Sequence, residues 1–538
     1  MNQSSPNYSL SMDKKRMLRG SIFLTLSPVA AFFLGLIISI LIDDLIPASD
    51  YAIFSWFTLM NSFLITLIPF RIPGAISRYL AVSKGANNKE DTQTLLKTNT
   101  LLTLLLVPLS GVVTLVITPF ILNHPLINIG GQYSLLDLVI FTLGIMSLNL
   151  ANFTVSALKG MQEFNKIGIA QFFANTIGQA AVIFLLVYGV SIQGITALGI
   201  QALLMKWVIV GLLTSVILII SVRQIWTLRG MQPSLKPLLR YAYPMVISFL
   251  FTFLFSEFLV RYFLNAVGDE LGLYGFAVRI VAFVNALTIG FYTALDAYYA
   301  HSYGKGNTIS LENDVRWTLK ISLFLFLPLI LGVMVIAPSF FVLVLPNYYW
   351  AYQYFIILLA QVLLMIFNKP FALVLNALAK TRTVLIIQII SSMVSGLLMV
   401  LFFIYGPLFV FWGLIDNALL LVVLGYASRT FFALLLSTFI VRRYIGIRKG
   451  ILQVIPLVLI GLCIIPPAVL IHLLYLPPVF EFYLIVLVSV LIYLLPIRFF
   501  RLISEVEIRK ASQFLPKRLA DPFARVIIRL FVRHSQAS

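Results

Sequence analysis

Five cationic residues interrupt apolar stretches that are otherwise long enough to be helices buried in lipid. They are Lys206, Arg261, Arg279, Lys369 and Arg429. A charge at the centre of a bilayer costs about 2.5 to 3.5 kcal/mol on insertion scales, so each should face water, a partner or a ligand. Arginine also carries a planar fork of donors that binds phosphate or carboxylate in a bidentate manner. The pattern predicts a cationic cavity for an anionic substrate, with ion pairing or snorkelling as the alternative.

Two more arginines and two acids extend this candidate site. Arg71, at the end of the second apolar run, and Arg78, after it, would line the inner mouth of the cavity if that helix runs long. Glu257 precedes Arg261 by four residues, so both lie on one helix face and ion pairing is the simpler interpretation. A carboxylate of Glu257 or Asp296 would alternatively bind Na⁺ or a proton and couple substrate movement to an ion gradient. The residues alone leave this choice open.

Composition indicates that a membrane positions these residues. The chain has 538 residues, of which 61% are hydrophobic and 11% charged, and its mean hydropathy is +1.02. A helix needs about 20 apolar residues to cross the hydrocarbon core, and such runs recur along the chain. We therefore predict an all-α polytopic membrane protein with about fourteen transmembrane helices. The runs lie at residues 20–42, 51–73, 98–120, 134–156, 168–190, 197–221, 241–263, 273–298, 317–342, 351–376, 383–405, 413–440, 451–474 and 481–497.

The first twelve runs form two blocks of six that resemble each other. A lysine and two prolines have similar spacing in the third run (Lys97, Pro108, Pro119) and in the ninth (Lys320, Pro328, Pro338). An even number of helices per block makes the repeats parallel, related by an axis along the membrane normal. The expected segments are an N-terminus at 1–19, an N-lobe at 20–222, a C-lobe at 223–440, two further helices at 441–498 and a tail at 499–538.

The distribution of positive charge predicts the orientation in the membrane. Of the 38 Lys and Arg residues, 33 lie in the eight segments on the N-terminal side of the membrane and none in the seven opposite loops. Short cytoplasmic loops retain positive charge, so we expect a multi-pass cell-membrane protein with both termini cytoplasmic. This topology explains most of the net charge of +19 without a nucleic-acid partner. In the tail, Arg525, Arg529 and Arg533 lie opposite an apolar face, which predicts a basic amphipathic helix on membrane lipid.

Metal, cofactor and nucleotide chemistry have no visible motif. The chain has one cysteine, Cys463, and four scattered histidines, so neither a disulfide within the chain nor a compact metal site is expected. The phosphate-binding pattern G-x-x-x-x-G-K-[ST] does not occur. We therefore expect no cofactor and no enzyme activity.

Three segments resemble a known transporter family. YAYPMVISFLFTFLFSEFLVRYFLNAVGDELGLYGFAVRI resembles the seventh and eighth helices of polysaccharide exporters of the MOP superfamily, with a Tyr-x-x-Pro-like entry, an acid-x-x-x-Arg pair and a Leu-Gly-x-Tyr motif after the outer loop. GAISRYLAVSKG and ALKGMQEFNKIGIAQ are similar to segments of Wzx-type flippases, which move O-antigen and other lipid-linked oligosaccharides. Two positions depart from the pattern, because Glu257 replaces the usual aspartate and Asp296 stands where proline is frequent.

The resemblance implies two six-helix lobes around a V-shaped cavity, as in MATE transporters and lipid II flippases, with two extra C-terminal helices. It implies a flippase that moves a polyprenyl-diphosphate-linked oligosaccharide from the inner to the outer leaflet by alternating access. The nearest alternative is a MATE-type antiporter for organic cations, which would need a buried acid in the first lobe. A membrane-embedded glycosyltransferase or polysaccharide polymerase is less favoured, since the short outer loops leave little room for an active site.

Overall fold

The computed structural model describes residues 33–499, apart from gaps at 86–87, 125–126, 128–132, 162, 194–196, 222–234, 268, 305–307, 379, 412–416, 444–447 and 475. The predicted N-terminal segment 1–19 and the amphipathic tail helix around Arg525, Arg529 and Arg533 lie outside the described residues. Within these residues the regular structure is helical and there is no strand.

Seventeen α-helices run through the described part of the chain. A π-helical segment, Phe253–Phe258, joins α8 to α9, and a 3₁₀ turn, Pro346–Tyr348, precedes α12. The α-helices are α1 (33–45), α2 (Ala48–Leu67), α3 (Ile72–Gly85), α4 (Lys89–Leu122), α5 (Leu135–Gly160), α6 (Phe164–Gln193), α7 (Ala197–Ser221), α8 (Lys236–Thr252), α9 (Leu259–Asn265), α10 (Glu270–Gly304), α11 (Thr308–Val344), α12 (Ala351–Ala377), α13 (Thr381–Phe411), α14 (Leu419–Val441), α15 (Arg448–Leu462), α16 (Ile465–His472) and α17 (Pro478–Phe499).

Eleven helical segments in the described part are long and apolar enough to cross a membrane, and the bent pair α2 and α3 makes a twelfth. Helices satisfy their backbone hydrogen bonds internally, which the hydrocarbon core requires. The predicted all-helical, multi-pass membrane fold is therefore confirmed, while the count of fourteen spans stays a prediction.

The second predicted span is broken rather than continuous. α2 and α3 meet at an angle of 49°. Phe70 and Arg71, which lie between them, have φ values of 51° and 54°, in the left-handed region. Pro69 and Pro73 flank the pair, and each lacks the N–H that would continue a helix. The break divides this span into two segments with different neighbours.

Packing assigns those two segments to different surroundings. α2 packs chiefly on α10 of the predicted C-lobe, whereas α3 packs on α4 and α5 of the predicted N-lobe and, to a smaller extent, on α8. The last helices, α15, α16 and α17, pack on α11. A single large apolar core contains residues from both predicted lobes.

The predicted lobes are joined by hydrogen bonds on the side that the charge distribution predicts to be outer. The Asp43 carboxylate, at the end of α1, accepts the backbone N–H groups of Tyr348 and Asn347 at 2.9 and 3.4 Å. Trp56 Nε1 of α2 donates to Asn265 Oδ1 of α9 at 3.2 Å. We call this set the outer seam. Its hydrogen-bonding residues are Asp43, Ile46, Trp56 and Ile127 on one side and Asn265, Asn347 and Tyr348 on the other.

Candidate substrate-binding site

A charged cluster in the predicted C-lobe surrounds the carboxylate of Glu257. One oxygen, Oε2, lies 3.0 Å from Arg261 Nη1. The other, Oε1, accepts the Tyr426 hydroxyl at 2.7 Å and lies 4.0 Å from Arg429 Nη1. The Arg261 guanidinium also stands over the Tyr274 ring, 5.7 Å from its centroid. We call these five residues the C-lobe cluster.

Close helix packing positions the C-lobe cluster. Glu257 lies in the π-helical segment, a rare turn type that occurs often at functional sites. α13 approaches this segment closely at Gly396, where an added Cβ would stand 2.9 Å from the carbonyl oxygen of Phe255. Ser395 Oγ of α13 donates to the carbonyl oxygen of Gly425 at 2.8 Å, which fixes α14 one residue before Tyr426. Small residues on α13 thus bring α14 to Glu257.

The C-lobe cluster contains two guanidinium groups and one carboxylate. Arg261 is buried, with 5% of its side chain exposed, and holds the shorter contact to Glu257. Arg429 is 18% exposed, and its Nη1 has no hydrogen-bond partner among the described residues. The Arg429 guanidinium stands 5.7 Å from the Tyr426 ring centroid. The cluster therefore has a net charge of about +1.

A second cationic pair lies between the predicted lobes. Arg279 follows the start of α10 by nine residues, and Lys206 follows the start of α7 by nine, so both are about 14 Å from a helix end on the same side. Their charges are close enough to repel each other, and Arg279 also approaches the Tyr51 hydroxyl. Nε and Nη2 of Arg279 have no hydrogen-bond partner within the described ranges. We call Lys206 and Arg279 the interlobe pair.

Arg71 and Arg78 contact aromatic rings of α8 in the predicted C-lobe. The Arg71 guanidinium stands 5.4 Å from the centroid of Phe249, although much of the residue is exposed. The Arg78 guanidinium stands 4.8 Å from the centroid of Tyr241. Both aromatic residues belong to α8, so these arginines lie where α3 crosses that helix and are separate from the C-lobe cluster.

Two predicted residues are not brought into either group. Lys369 is half-buried on α12 next to Pro370, which lies inside that helix. Asp296 lies on α10, but its side chain is outside the described residues. No group of three or more metal-ligating side chains occurs in the part of the chain that the structure describes.

Sequence reasoning missed the tyrosines of the site. Tyr426 contacts an acid 169 residues away, and Tyr274 packs edge to face on Tyr426 with centroids 6.4 Å apart. Tyr51 approaches Arg279 from another helix. The available signal for Tyr426 was its position three residues before Arg429, on the same helix face.

Several solved structures with a similar fold are transporters of the MOP superfamily or flippases. The outward-facing form of a multidrug resistance MATE transporter of the MOP superfamily is 18% identical with a TM-score of 0.61, over 80% of this chain and 96% of that chain. A MOP superfamily transporter from Pyrococcus furiosus, described as having a binding pocket of reverse polarity, gives the same four values. The lipid II flippase MurJ, inward closed, is 14% identical with a TM-score of 0.56, over 95% and 100%. The fold is that of MOP superfamily transporters.

Sequence then identifies the family. The model described as "Polysaccharide biosynthesis protein" matches residues 17–295, more than half of the chain, so the chain belongs to this family. A second model, MatE, matches residues 244–402. No curated protein sequence matches the chain. The resemblance to MOP superfamily polysaccharide exporters noted from the sequence is confirmed.

Proposed function

We propose that this protein is a flippase that moves a polyprenyl-diphosphate-linked oligosaccharide from the inner to the outer leaflet by alternating access. The observation that carries the proposal is the excess of positive charge in the described interior. Arg279 and Arg429 contribute two guanidinium groups with buried donors that lack a partner among the described residues, while Glu257 is already engaged by Arg261. An anionic head group would supply the missing negative charge.

The expected interaction energy is large enough to support binding. A phosphate oxygen about 4 Å from a guanidinium gains roughly 4 kcal/mol at an effective dielectric constant of 20. Nε and Nη2 of Arg279 and Nη1 of Arg429 are buried donors without acceptors among the described residues. A diphosphate carries several acceptor oxygens, so it would supply acceptors that such donors lack.

The closed outer seam supports alternating access. In this structure Asp43 and Trp56 tie the N-lobe to the C-lobe through Tyr348, Asn347 and Asn265. These contacts must break before a substrate between the lobes can leave on the predicted outer side. An alternating-access carrier requires one state that is closed on the outer side, and the closed seam provides such a state.

The main alternative is a MATE-type antiporter, which the match of residues 244–402 to the MatE model favours. The charge of the site argues against it, because the cations of the interlobe pair would repel an organic cation. Catalysis by a membrane-embedded glycosyltransferase is less well supported than transport, since the folds and the family both belong to transporters.

Ion coupling is assigned to Asp296 in this proposal. Glu257 is held by Arg261 and Tyr426 and lies near Arg429, which makes it a counter-ion for the cluster. Asp296, on α10, is the second of the two acids that the sequence predicts for binding Na⁺ or a proton. Membrane lipids are a second partner, through the basic tail beyond residue 499.

The binding proposal is tested with Arg279→Ala and Arg429→Ala. We expect each variant to fold and to lose binding of a polyprenyl-diphosphate glycan in proteoliposomes, because a hydrogen bond to a charged group is worth about 1.5 to 3 kcal/mol. Arg429→Lys should restore binding in part, since lysine keeps the charge but not the fork. Arg443→Ala is the matched control, because Arg443 is exposed and contacts Phe439 at 5.3 Å. If both site variants bind the glycan with the affinity of the parent protein while export of a cationic drug changes, the antiporter interpretation is correct.

The proposed topology has its own test. In a Cys463→Ala background, Asn123→Cys should react with an impermeant thiol reagent in intact cells, because exposed Asn123 caps the end of α4 on the predicted outer side. Cysteine at Arg443, exposed at the end of α14, should react only after permeabilisation. The reverse pattern would refute cytoplasmic termini in the cell membrane.

A further inference from the structure

The break in the second span holds two residues in a strained conformation. Phe70 and Arg71 have φ values of 51° and 54°, and neither is glycine. In this region the Cβ of an L-residue crowds its own backbone, and such residues persist only where the surrounding structure holds them. The turn keeps few backbone bonds, from Phe70 N–H to the carbonyl of Leu67 at 3.0 Å and from Ile72 N–H to that of Pro69 at 2.9 Å.

On one side of the break, α2 is clamped to the C-lobe. An added Cβ at Gly272 would stand 1.9 Å from the carbonyl oxygen of Ala48, so the two backbones are in direct contact. Tyr51 packs edge to face on Phe276, with ring centroids 5.7 Å apart. α2 therefore follows the position of α10 as long as the outer seam is closed.

On the other side of the break, α3 is embedded in the N-lobe. Ile76 and Leu80 are fully buried in a core that also contains Phe153 and Leu158 of α5. An added Cβ at Gly160 would stand 2.5 Å from the Leu80 Cβ. α3 is therefore fixed to the N-lobe, and the residues between the two helices must absorb any difference in position between the lobes.

We propose that residues 68–71 are a strained hinge which favours opening of the outer seam. In the closed state both clamps act together and force Phe70 and Arg71 into the left-handed region. When α2 leaves α10, one clamp is released and both residues can return to the right-handed helical region. Pro69 and Pro73 reduce the cost of bending there, because the helical hydrogen bonds that their N–H groups would make are absent in either state.

Arg71 extends this hinge to a contact with the predicted C-lobe. Its left-handed backbone directs the guanidinium to the Phe249 ring of α8, 5.4 Å from the ring centroid. Relaxation of the hinge would turn the Cα–Cβ bond of Arg71 and withdraw the cation from the C-lobe. Opening on the outer side would thus break the contact between Arg71 and α8.

The test compares Phe70→Gly with Phe70→Ala. Both remove the ring, but only glycine adopts positive φ without the Cβ penalty, so glycine should favour the closed state. The left-handed penalty corresponds to a roughly fivefold to thirtyfold increase in the ratio of closed to open molecules. Asparagine tolerates this region better than alanine, so Phe70→Asn should fall between the two.

The ratio of closed to open molecules is measured by pulsed electron spin resonance on the full chain in nanodiscs. Spin labels are placed in a Cys463→Ala background at Leu135 of the N-lobe and Trp350 of the C-lobe, which are 76% and 61% exposed. The order Gly, Asn, Ala in the closed fraction supports the hinge, and equal fractions in the three variants overturn it. This distance measurement needs no substrate, so its outcome does not depend on the proposed flippase activity. Phe70→Gly should also slow transport, and only this second expectation rests on the proposed function.

Discussion

Replacing Glu257 with glutamine should destabilise the protein more than replacing its partner Arg261. Glu257→Gln removes the carboxylate of the C-lobe cluster and leaves two guanidinium groups facing each other. Arg261→Gln leaves Glu257 with the Tyr426 hydroxyl at 2.7 Å and with Arg429 at 4.0 Å. The first change therefore gives a cluster of charge about +2, and the second a cluster that is close to neutral.

The size of each destabilisation depends on how deeply the remaining charged side chain is buried. Removing one partner of a buried ion pair costs about 3 to 5 kcal/mol, because the remaining charge is left uncompensated. Only 5% of the Arg261 side chain is exposed, against 28% for Glu257. The full cost is therefore expected in Glu257→Gln, where the buried Arg261 charge loses its partner. Arg261→Gln should cost about 1 to 3 kcal/mol, the penalty for lost hydrogen bonds at buried groups.

The assay is a double-mutant cycle on the free energy of unfolding, measured by titration with a denaturing detergent. The double variant Glu257→Gln, Arg261→Gln should be more stable than Glu257→Gln alone, with a coupling energy of about 2 kcal/mol or more. An equal or greater loss of stability for Arg261→Gln would refute this charge balance in the C-lobe cluster. A Glu257→Gln protein that is as stable as the parent but no longer responds to an ion gradient would instead make Glu257 the coupling acid.

Three further outcomes are expected. Gly272→Ala should weaken the closed state and raise the open fraction in the spin-label assay, because its Cβ would stand 1.9 Å from the carbonyl oxygen of Ala48; Gly332→Ala, with open space around it, should have no effect. Asp43→Ala should also raise the open fraction, by roughly fivefold to a hundredfold, since the N–H group of buried Tyr348 and that of Asn347 lose their acceptor. Truncation after Arg501 should leave glycan transport measurable, and complete loss in a normally inserted protein would show that the tail has a mechanistic role.

The helices were predictable from sequence because hydrocarbon thickness fixes their length and apolarity, but their interruptions were not. The second run reads as one span from 51 to 73, although Pro69 and Pro73 mark its end. The bend depends on α2 packing on α10 while α3 packs on α5, and a linear pattern contains neither contact. The π-helical segment Phe253–Phe258 is hidden for the same reason, since it depends on the close approach of Gly396.

In the candidate site, too, contacts within one helix were predictable from the sequence and contacts between helices were not. The Glu257 and Arg261 pair was accessible from its four-residue spacing, which a single helix determines. The contact between Glu257 and Tyr426 spans 169 residues, and the approach of Lys206 to Arg279 joins helices of different predicted lobes. Such contacts depend on the rotation of each helix about its axis, and in uniformly apolar helices the sequence gives little information about that rotation.

The strength of the outer seam is comparable to what a bound anion could supply. Six hydrogen bonds cross the seam, and at a net value of about 1 kcal/mol each they contribute roughly 6 kcal/mol to closure. A ligand shifts an equilibrium only by its difference in affinity for the two states, so about 6 kcal/mol is needed to bring this one to equal populations. Contacts of roughly 4 kcal/mol with each of two guanidinium groups would provide this if they were made in only one state. The release of hinge strain at Phe70 and Arg71 acts in the same direction as opening. A seam of this strength keeps the empty carrier closed on one side, yet leaves it within the range that substrate binding can shift.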